Sequence, residues 1–184
     1  MKILIDPGHG LDTPGKRSPD GLFREYLWNR QVADLILEGL LSAGVDASLV
    51  VTETNDVSLR NRVNRVNTIC NRLGASNVLL VSIHANAAGN GSGWMNAKGW
   101  SCYTSKGKTK SDQVAECLYD AFEAEFQDRK IRKDLGDGDR DWEENFFYDN
   151  REECAWMLQD ETKRRIAGAA VKGIIKYIKH ADKI

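Results

Sequence analysis

The sequence has 184 residues, a length that suits one domain with a sizeable core. Its 26 Lys and Arg residues nearly balance 27 Asp and Glu residues, giving a formal net charge of −1 and no basic field that would favour nucleic acid. No apolar stretch approaches the roughly 18 residues of a membrane span. The four cysteines form no Cys-x-x-Cys pair, which favours reduced structural thiols over a disulfide framework. We expect a single domain over residues 1–184, with neither nucleic acid nor membrane as a partner.

The chain opens with a short apolar run, Ile3 to Ile5, that ends in the turn sequence Asp-Pro-Gly-His-Gly. This pattern predicts a buried strand that stops abruptly, with Gly8 and Gly10 supplying backbone angles that other residues avoid. His9 then lies at the carboxyl end of a strand, where α/β sheets bind their ligands. Residues 11–22, rich in Gly, Pro, Ser and Asp, predict a candidate binding loop.

Strands and helices alternate along the rest of the chain. Apolar periodicity and capping residues predict helices over residues 23–41, 59–73, 111–126 and 152–178, the last broken near Asp160. Apolar runs predict strands over residues 45–51, 77–83 and 99–104. The alternation indicates an α/β fold with three layers, in which helices flank both faces of a mostly parallel, twisted sheet of about five to six strands.

The helices and loops add further expectations. The predicted core-facing stripes include Leu27 in the first helix and Leu59 and Val63 in the second. Residues 85–99 predict a second loop on the edge of the sheet that carries His9. Residues 127–141 are highly charged and predict a surface loop, whereas the pattern over residues 142–150 is ambiguous.

Two of the three histidines follow predicted strands, and the third, His180, lies in the polar C-terminal tail. Parallel strands end at one edge of a sheet, so His9 and His84 can converge there and indicate a metal site. Glu25 at the start of the first helix is the best candidate for a third ligand, although the helix dipole favours a carboxylate there in any case. A His-His-Glu set suits one Zn²⁺ ion, with a fourth position open for water and a further carboxylate as general base.

Four motifs resemble the zinc-dependent N-acetylmuramoyl-L-alanine amidases (the amidase-3 type) of bacterial cell-wall turnover and phage lysis. They are IDPGHG, GLFREYLWN, VSIHANA and, near the C-terminus, ENFFYDN. The resemblance implies that His9, Glu25 and His84 bind zinc, that Glu144 is the catalytic glutamate, and that Asn86 lies near the substrate. It also implies hydrolysis of the peptidoglycan amide between the lactyl group of N-acetylmuramic acid and the L-alanine of the stem peptide.

One segment departs from the family pattern. In the family, an apolar strand that often begins Pro-Ala-Val-Leu precedes the catalytic glutamate, whereas DGDRDWEE stands here. Glu144 is therefore either the catalytic residue or a remnant of a charged segment found upstream in related sequences, and Glu143 is the next candidate. Two alternatives stay open: a peptidoglycan-binding module that retains zinc without catalysis, and a zinc peptidase of the carboxypeptidase type.

The start of the chain bears on where the protein is made. With only Lys2 between Met1 and the first strand, no signal peptide is evident, so we expect synthesis in the cytoplasm unless a leader has been removed. We expect the protein to act on the bacterial cell wall, either as an autolysin or as a phage endolysin. An endolysin made in the cytoplasm would reach the wall after phage-mediated release.

Overall fold

The computed structural model describes residues 1–104, 109–132 and 143–181, of which residues 143 and 144 are described by their backbone alone. One sheet is built from five strands, here numbered in chain order: β1 (Lys2–Pro7), β2 (Ala47–Leu49), β3 (Val78–Asn86), β4 (Ser101–Cys102) and β5 (Glu143–Phe147). Their order across the sheet is β2-β1-β3-β5-β4. All neighbours are parallel except β4, which pairs antiparallel with β5. The predicted mostly parallel sheet is confirmed.

The helices of the described residues are α1 (Glu25–Ser42), α2 (Leu59–Leu73), α3 (Lys110–Glu125), α4 (Arg151–Met157) and α5 (Asp160–Ala181). The predicted break near Asp160 is confirmed, because α4 and α5 are separate helices. None of the helices within the described ranges is long and apolar enough to cross a membrane.

The larger part of the core lies on the face of the sheet covered by α1, α3 and α5. Alternate residues of the central strands, Ile3 and Ile5 in β1 and Val81 and Ile83 in β3, are at most 5% exposed and belong to this cluster. Strand side chains alternate between faces, so these residues share one side of the sheet. Aromatic rings extend the cluster toward β4 and β5, where Trp100 stacks on Phe122 with ring centroids 3.9 Å apart.

The opposite face is covered by α2 and has a smaller core. Leu4 packs there with Val50, Val51 and Val57, and the half-buried Val66 and Ile69 of α2 pack against them. Helix layers on both faces agree with the predicted three-layer architecture.

Two predictions about helix faces are wrong. Leu59 and Val63 in α2 are 72% and 45% exposed, because the inward face of α2 runs through positions 62, 66 and 69 instead. Leu27 in α1 is 46% exposed, whereas the neighbouring Trp28 is buried.

The segment boundaries also differ from the predicted ones. β2 and β4 are three and two residues long, much shorter than the apolar runs that contain them. The ambiguous segment over residues 142–150 contains β5 and ends at Asn150, the N-cap of α4. Most of the predicted charged surface loop, residues 133–141, lies outside the described residues.

Candidate metal centre

The turn after β1 presents His9 in an unusual backbone conformation. His9 has φ 62°, in the left-handed region that costs a non-glycine residue roughly 1–2 kcal/mol. Gly8 and Gly10 are needed for a different reason than the one predicted. A Cβ on Gly8 would lie 2.2 Å from Cε1 of His84, and a Cβ on Gly10 would lie 2.0 Å from the backbone nitrogen of Asp56. The glycines therefore permit close packing, and the positive φ belongs to the histidine.

Glu25 is the first residue of α1 and is almost fully buried, with 1% of its surface exposed. Its backbone N–H donates to the carbonyl of Lys16, which ties the start of the helix to the loop that follows His9. Its Oε1 accepts a hydrogen bond from the backbone N–H of Ala85 at 3.2 Å. The carboxylate is thus held against β3, while the backbone of the same residue is held by the loop.

His84 lies within β3, which runs three residues further than the predicted strand end at residue 83. The side-chain amide of Asn145 in β5 donates to the His84 carbonyl at 3.0 Å. His84 is therefore held by the sheet itself.

The three side chains converge at this edge of the sheet. Oε1 of Glu25 lies 3.3 Å from Nε2 of His9 and 3.2 Å from Nδ1 of His84. The imidazole rings meet edge to face, with centroids 4.9 Å apart. Burial raises the pKa of Glu25, but the adjacent imidazoles of His84 and His9 outweigh it and lower that pKa to about 2. Glu25 is therefore a carboxylate at neutral pH.

The arrangement fits a metal ion. One ligand atom from each of the three residues can be chosen so that all lie within 4.8 Å of one another. Nε2 of His9 and Oε2 of Glu25 are buried, and neither has a hydrogen-bond partner among the described residues. Buried polar atoms are nearly always paired, so these two atoms indicate a partner such as a cation. Imidazole nitrogens and a carboxylate are suitable donors, and His9, Glu25 and His84 can hold a metal ion.

A cleft of about 280 Å³ opens beside the carboxylate and His84. The two predicted loops form its walls. Residues 14–16 come from the loop after His9, and residues 86, 87 and 89–91 come from the loop after β3. Lys16 brings a positive charge to this cleft, with its Nζ 3.9 Å from Oε2 of Glu25. Asn86, predicted to lie near the substrate, lines the same cleft.

Asp149, a residue that the sequence reasoning missed, holds the second wall of the cleft. It is fully buried, and its Oδ2 accepts hydrogen bonds from the backbone N–H groups of Ala88 and Gly89 at 2.8 and 2.7 Å. Its carbonyl accepts from the N–H of Met95. The signal available in the sequence was a carboxylate directly after the aromatic run Phe146-Phe147-Tyr148.

The two candidate catalytic glutamates are neighbours in β5. Glu144 is in register with His84 of β3, and Glu143 is in register with Ile83, a core residue. Their side chains lie outside the described part of the structure, so the comparison rests on the strand register alone. His180 lies apart from the site, near the C-terminal end of α5.

Comparison with known proteins identifies the family of this site. The family model for N-acetylmuramoyl-L-alanine amidases of the Amidase_3 type matches residues 3–176. No curated protein sequence gives a match.

Solved structures share the fold over nearly the whole chain. The amidase AmiC2 of Nostoc punctiforme has 25% sequence identity and a TM-score of 0.75, with 97% of each chain covered. An amidase from Clostridium difficile 630 has 25% identity and a TM-score of 0.74, covering 97% of this chain and 96% of that one. The catalytic domain of CwlV from Paenibacillus polymyxa has 22% identity and a TM-score of 0.77, covering 97% and 98%. Together with the motifs and the metal centre, the family match shows that this chain belongs to the N-acetylmuramoyl-L-alanine amidases, hydrolases that cleave the amide between N-acetylmuramic acid and L-alanine in peptidoglycan.

Proposed function

We propose that the chain carries out this hydrolysis with one zinc ion held by His9, Glu25 and His84. The observation that carries the proposal is the convergence of one ligand atom from each of the three side chains within 4.8 Å, beside a cleft that Glu25 and His84 line. Two imidazoles and one carboxylate are a ligand set typical of catalytic zinc, which keeps a fourth position open. Zinc in such a site supplies Lewis-acid chemistry, lowering the pKa of a water molecule toward neutrality and polarising the amide carbonyl.

The protein residues have distinct tasks in this proposal. Glu25 is ionised before metal binding, so it brings one negative charge without releasing a proton. The backbone N–H of Ala85 on Oε1 fixes the orientation of that carboxylate. Oε2, which accepts no hydrogen bond from the described residues, remains available as a ligand atom.

We propose Glu144 as the proton carrier of the reaction. The water oxygen adds to the lactyl carbonyl carbon, the C–N bond breaks, and the nitrogen of L-alanine leaves as a free amine. Glu144 takes the proton from the water and delivers it to that nitrogen. The register of Glu144 beside His84 supports this role, whereas Glu143 is in register with a residue of the core.

The substrate in this proposal is peptidoglycan, with the stem peptide lying in the cleft lined by Lys16 and Asn86. Polar side chains and exposed backbone of the two loops suit an extended peptide better than an apolar ligand. Such a substrate places the enzyme at the bacterial cell wall, and we propose that it acts there as an autolysin or, after phage-mediated release, as an endolysin.

The test is mass spectrometry of muropeptides after incubation with the zinc-loaded protein. The wild type should release stem peptides with a free L-alanine amino group. Glu144→Gln should lower kcat by about 10²- to 10⁴-fold, because general acid–base catalysis contributes that much. Glu143→Gln is the matched control on the neighbouring residue of β5, and it should retain activity within about threefold, given its register with the core residue Ile83.

Two results would contradict parts of the proposal. Full activity in Glu144→Gln together with its loss in Glu143→Gln would assign the proton transfer to Glu143. If the wild type is folded, holds zinc and binds peptidoglycan but releases no peptide, the proposed hydrolysis is wrong. The protein would then be a peptidoglycan-binding module.

A further inference from the structure

Arg62 is an arginine in the place where a helix normally puts an apolar residue. It is the buried residue of α2, and its side chain is 8% exposed. Its guanidinium donates to five oxygen atoms at distances between 2.6 and 3.3 Å: Asp6 Oδ1, Pro7 O, His9 O, Asp56 Oδ1 and Val57 O. Burying a guanidinium is unfavourable unless its donors are satisfied, and here they are.

These acceptors concentrate on the turn that carries His9. Nη1 of Arg62 bonds both Oδ1 of Asp6 and the carbonyl of Pro7, and Nη2 bonds the carbonyl of His9. A second arginine, Arg30 of α1, donates to the same His9 carbonyl at 2.9 Å. The amide of Asn29 donates to the carbonyl of Gly8 at 3.2 Å. Each carbonyl from Pro7 to His9 is therefore held by a side chain from a helix.

The conformation held in this way is the disfavoured one. His9 has φ 62°, which a histidine rarely adopts without external support. If the His9 carbonyl turned back to an ordinary conformation, the ring would leave its position 3.3 Å from Glu25. Bonds to the carbonyl from two arginines oppose that rotation.

We propose that Arg62 is a positioning residue of the metal centre: its guanidinium, bonded to Asp6, Pro7 and His9, holds the His9 turn in its left-handed conformation and so presents the imidazole to the metal. This inference rests on the zinc site proposed above. Arg62 touches neither metal nor substrate, and it acts through the orientation of His9, as residues behind metal ligands commonly do.

Electrostatics alone predicts the opposite effect of Arg62 on zinc affinity. Its positive charge opposes a nearby cation, and removing it would leave the carboxylates of Asp6 and Asp56 without their partner. Zinc would then bind more tightly to a variant without the guanidinium. The positioning role predicts weaker binding, so the sign of the change separates the two explanations.

The experiment compares Arg62→Met with Arg65→Met. Arg65 is the matched control because it lies one turn along α2, pairs with Glu53 and donates to the carbonyl of Val50, but has no bond to the His9 turn. Zinc affinity is measured by competition with a chromogenic chelator, and ligand geometry by the visible spectrum of the cobalt-substituted protein. Urea unfolding of the zinc-free proteins verifies that each variant is folded.

We expect Arg62→Met to bind zinc about 10- to 100-fold more weakly, the range typical of residues behind metal ligands, with an altered cobalt spectrum. Arg65→Met should stay within about threefold of the wild type and keep its spectrum. Arg62→Lys retains the charge but cannot reach all the acceptors, so its loss of affinity should be intermediate.

Unchanged or tighter zinc binding by a folded Arg62→Met variant, beside a wild type that binds zinc, would overturn this inference alone. A wild type that binds no zinc would overturn the proposed function and this inference together. If Arg62→Met does not fold, Arg62→Lys decides: an affinity equal to that of the wild type overturns the positioning role, and weaker binding supports it.

Discussion

Gly8 illustrates how a single missing side chain sets the geometry of the site. A Cβ at this position would meet three atoms of the His84 ring, the closest at 2.2 Å, so that ring could not keep its place. The sequence predicts the two glycines of this turn but not their reason, since the positive φ lies at His9. The contact that excludes a side chain is made by a residue 76 positions away, and no local pattern reveals it.

We expect Gly8→Ala to lower zinc affinity more than tenfold while the protein remains folded, because His84 must move away from the new methyl group. Gly93→Ala is the control, since a Cβ there meets no atom within 4 Å and Gly93 lies in a loop after β3. Chelator competition measures both affinities. If Gly8→Ala binds zinc as tightly as the wild type, the position of the His84 ring in the structure is not required for zinc binding.

The residues that support the site were harder to predict than the residues that form it. His9, Glu25 and His84 follow from strand ends and a helix start, and the structure brings them together. Arg62 was missed because an arginine on an amphipathic helix normally indicates a solvated face. Its acceptors are spread over residues 6–57, so its role depends on tertiary contacts.

At the level of elements, the short helix α4 fixes the end of β5. Oδ1 of Asn150 accepts hydrogen bonds from the N–H groups of Glu152 and Glu153, capping the helix. The carboxylate of Glu153 in turn accepts from Phe147 at the end of β5 and from Gly99 ahead of β4. Burial raises the pKa of Glu153, against the lowering effect of these backbone hydrogen bonds. The helix thus joins the end of β5 to the segment that leads into the edge strand β4.

We expect Asn150→Ala to lower the free energy of unfolding by about 1 kcal/mol, within the roughly 0.5–2 kcal/mol that N-cap residues contribute. Ser58→Ala, at the N-cap of α2, should cost less, because its side chain accepts one longer bond of 3.4 Å. Urea denaturation curves give both values. Equal losses in the two variants, or none in Asn150→Ala, would contradict the role given to this cap.

The elements themselves were predictable to different degrees. The predicted bounds of α2 agree with the structure because Ser58 and Gly74 mark its ends. The predicted strands that contain β2 and β4 are too long, because an apolar run in the sequence does not show where hydrogen bonding to the adjacent strand ends. The predicted buried face of α2 is wrong because positions 62, 66 and 69 face the core, which leaves Leu59 exposed.

The whole molecule brings together at one edge segments that are far apart in sequence. His9 follows β1, Glu25 begins α1 and His84 lies in β3, so a bound metal would link two central strands and the helix that covers them. The parallel order of β1 and β3 explains why this convergence could be predicted, because such strands end at the same edge. The depth of the cleft depends on loops whose conformations no periodicity determines.

Zinc should therefore stabilise the entire fold. A ligand at 100 times its Kd adds about 2.7 kcal/mol to the free energy of unfolding, which for a chain of this size raises Tm by roughly 5–10 °C. We expect a chelator to lower Tm by that amount and added zinc to restore it, measured by differential scanning calorimetry. His84→Ala is the control, and its Tm should not respond to chelator because the ligand set is incomplete. A zinc-dependent Tm shift of equal size in His84→Ala would place the stabilising metal elsewhere on the molecule.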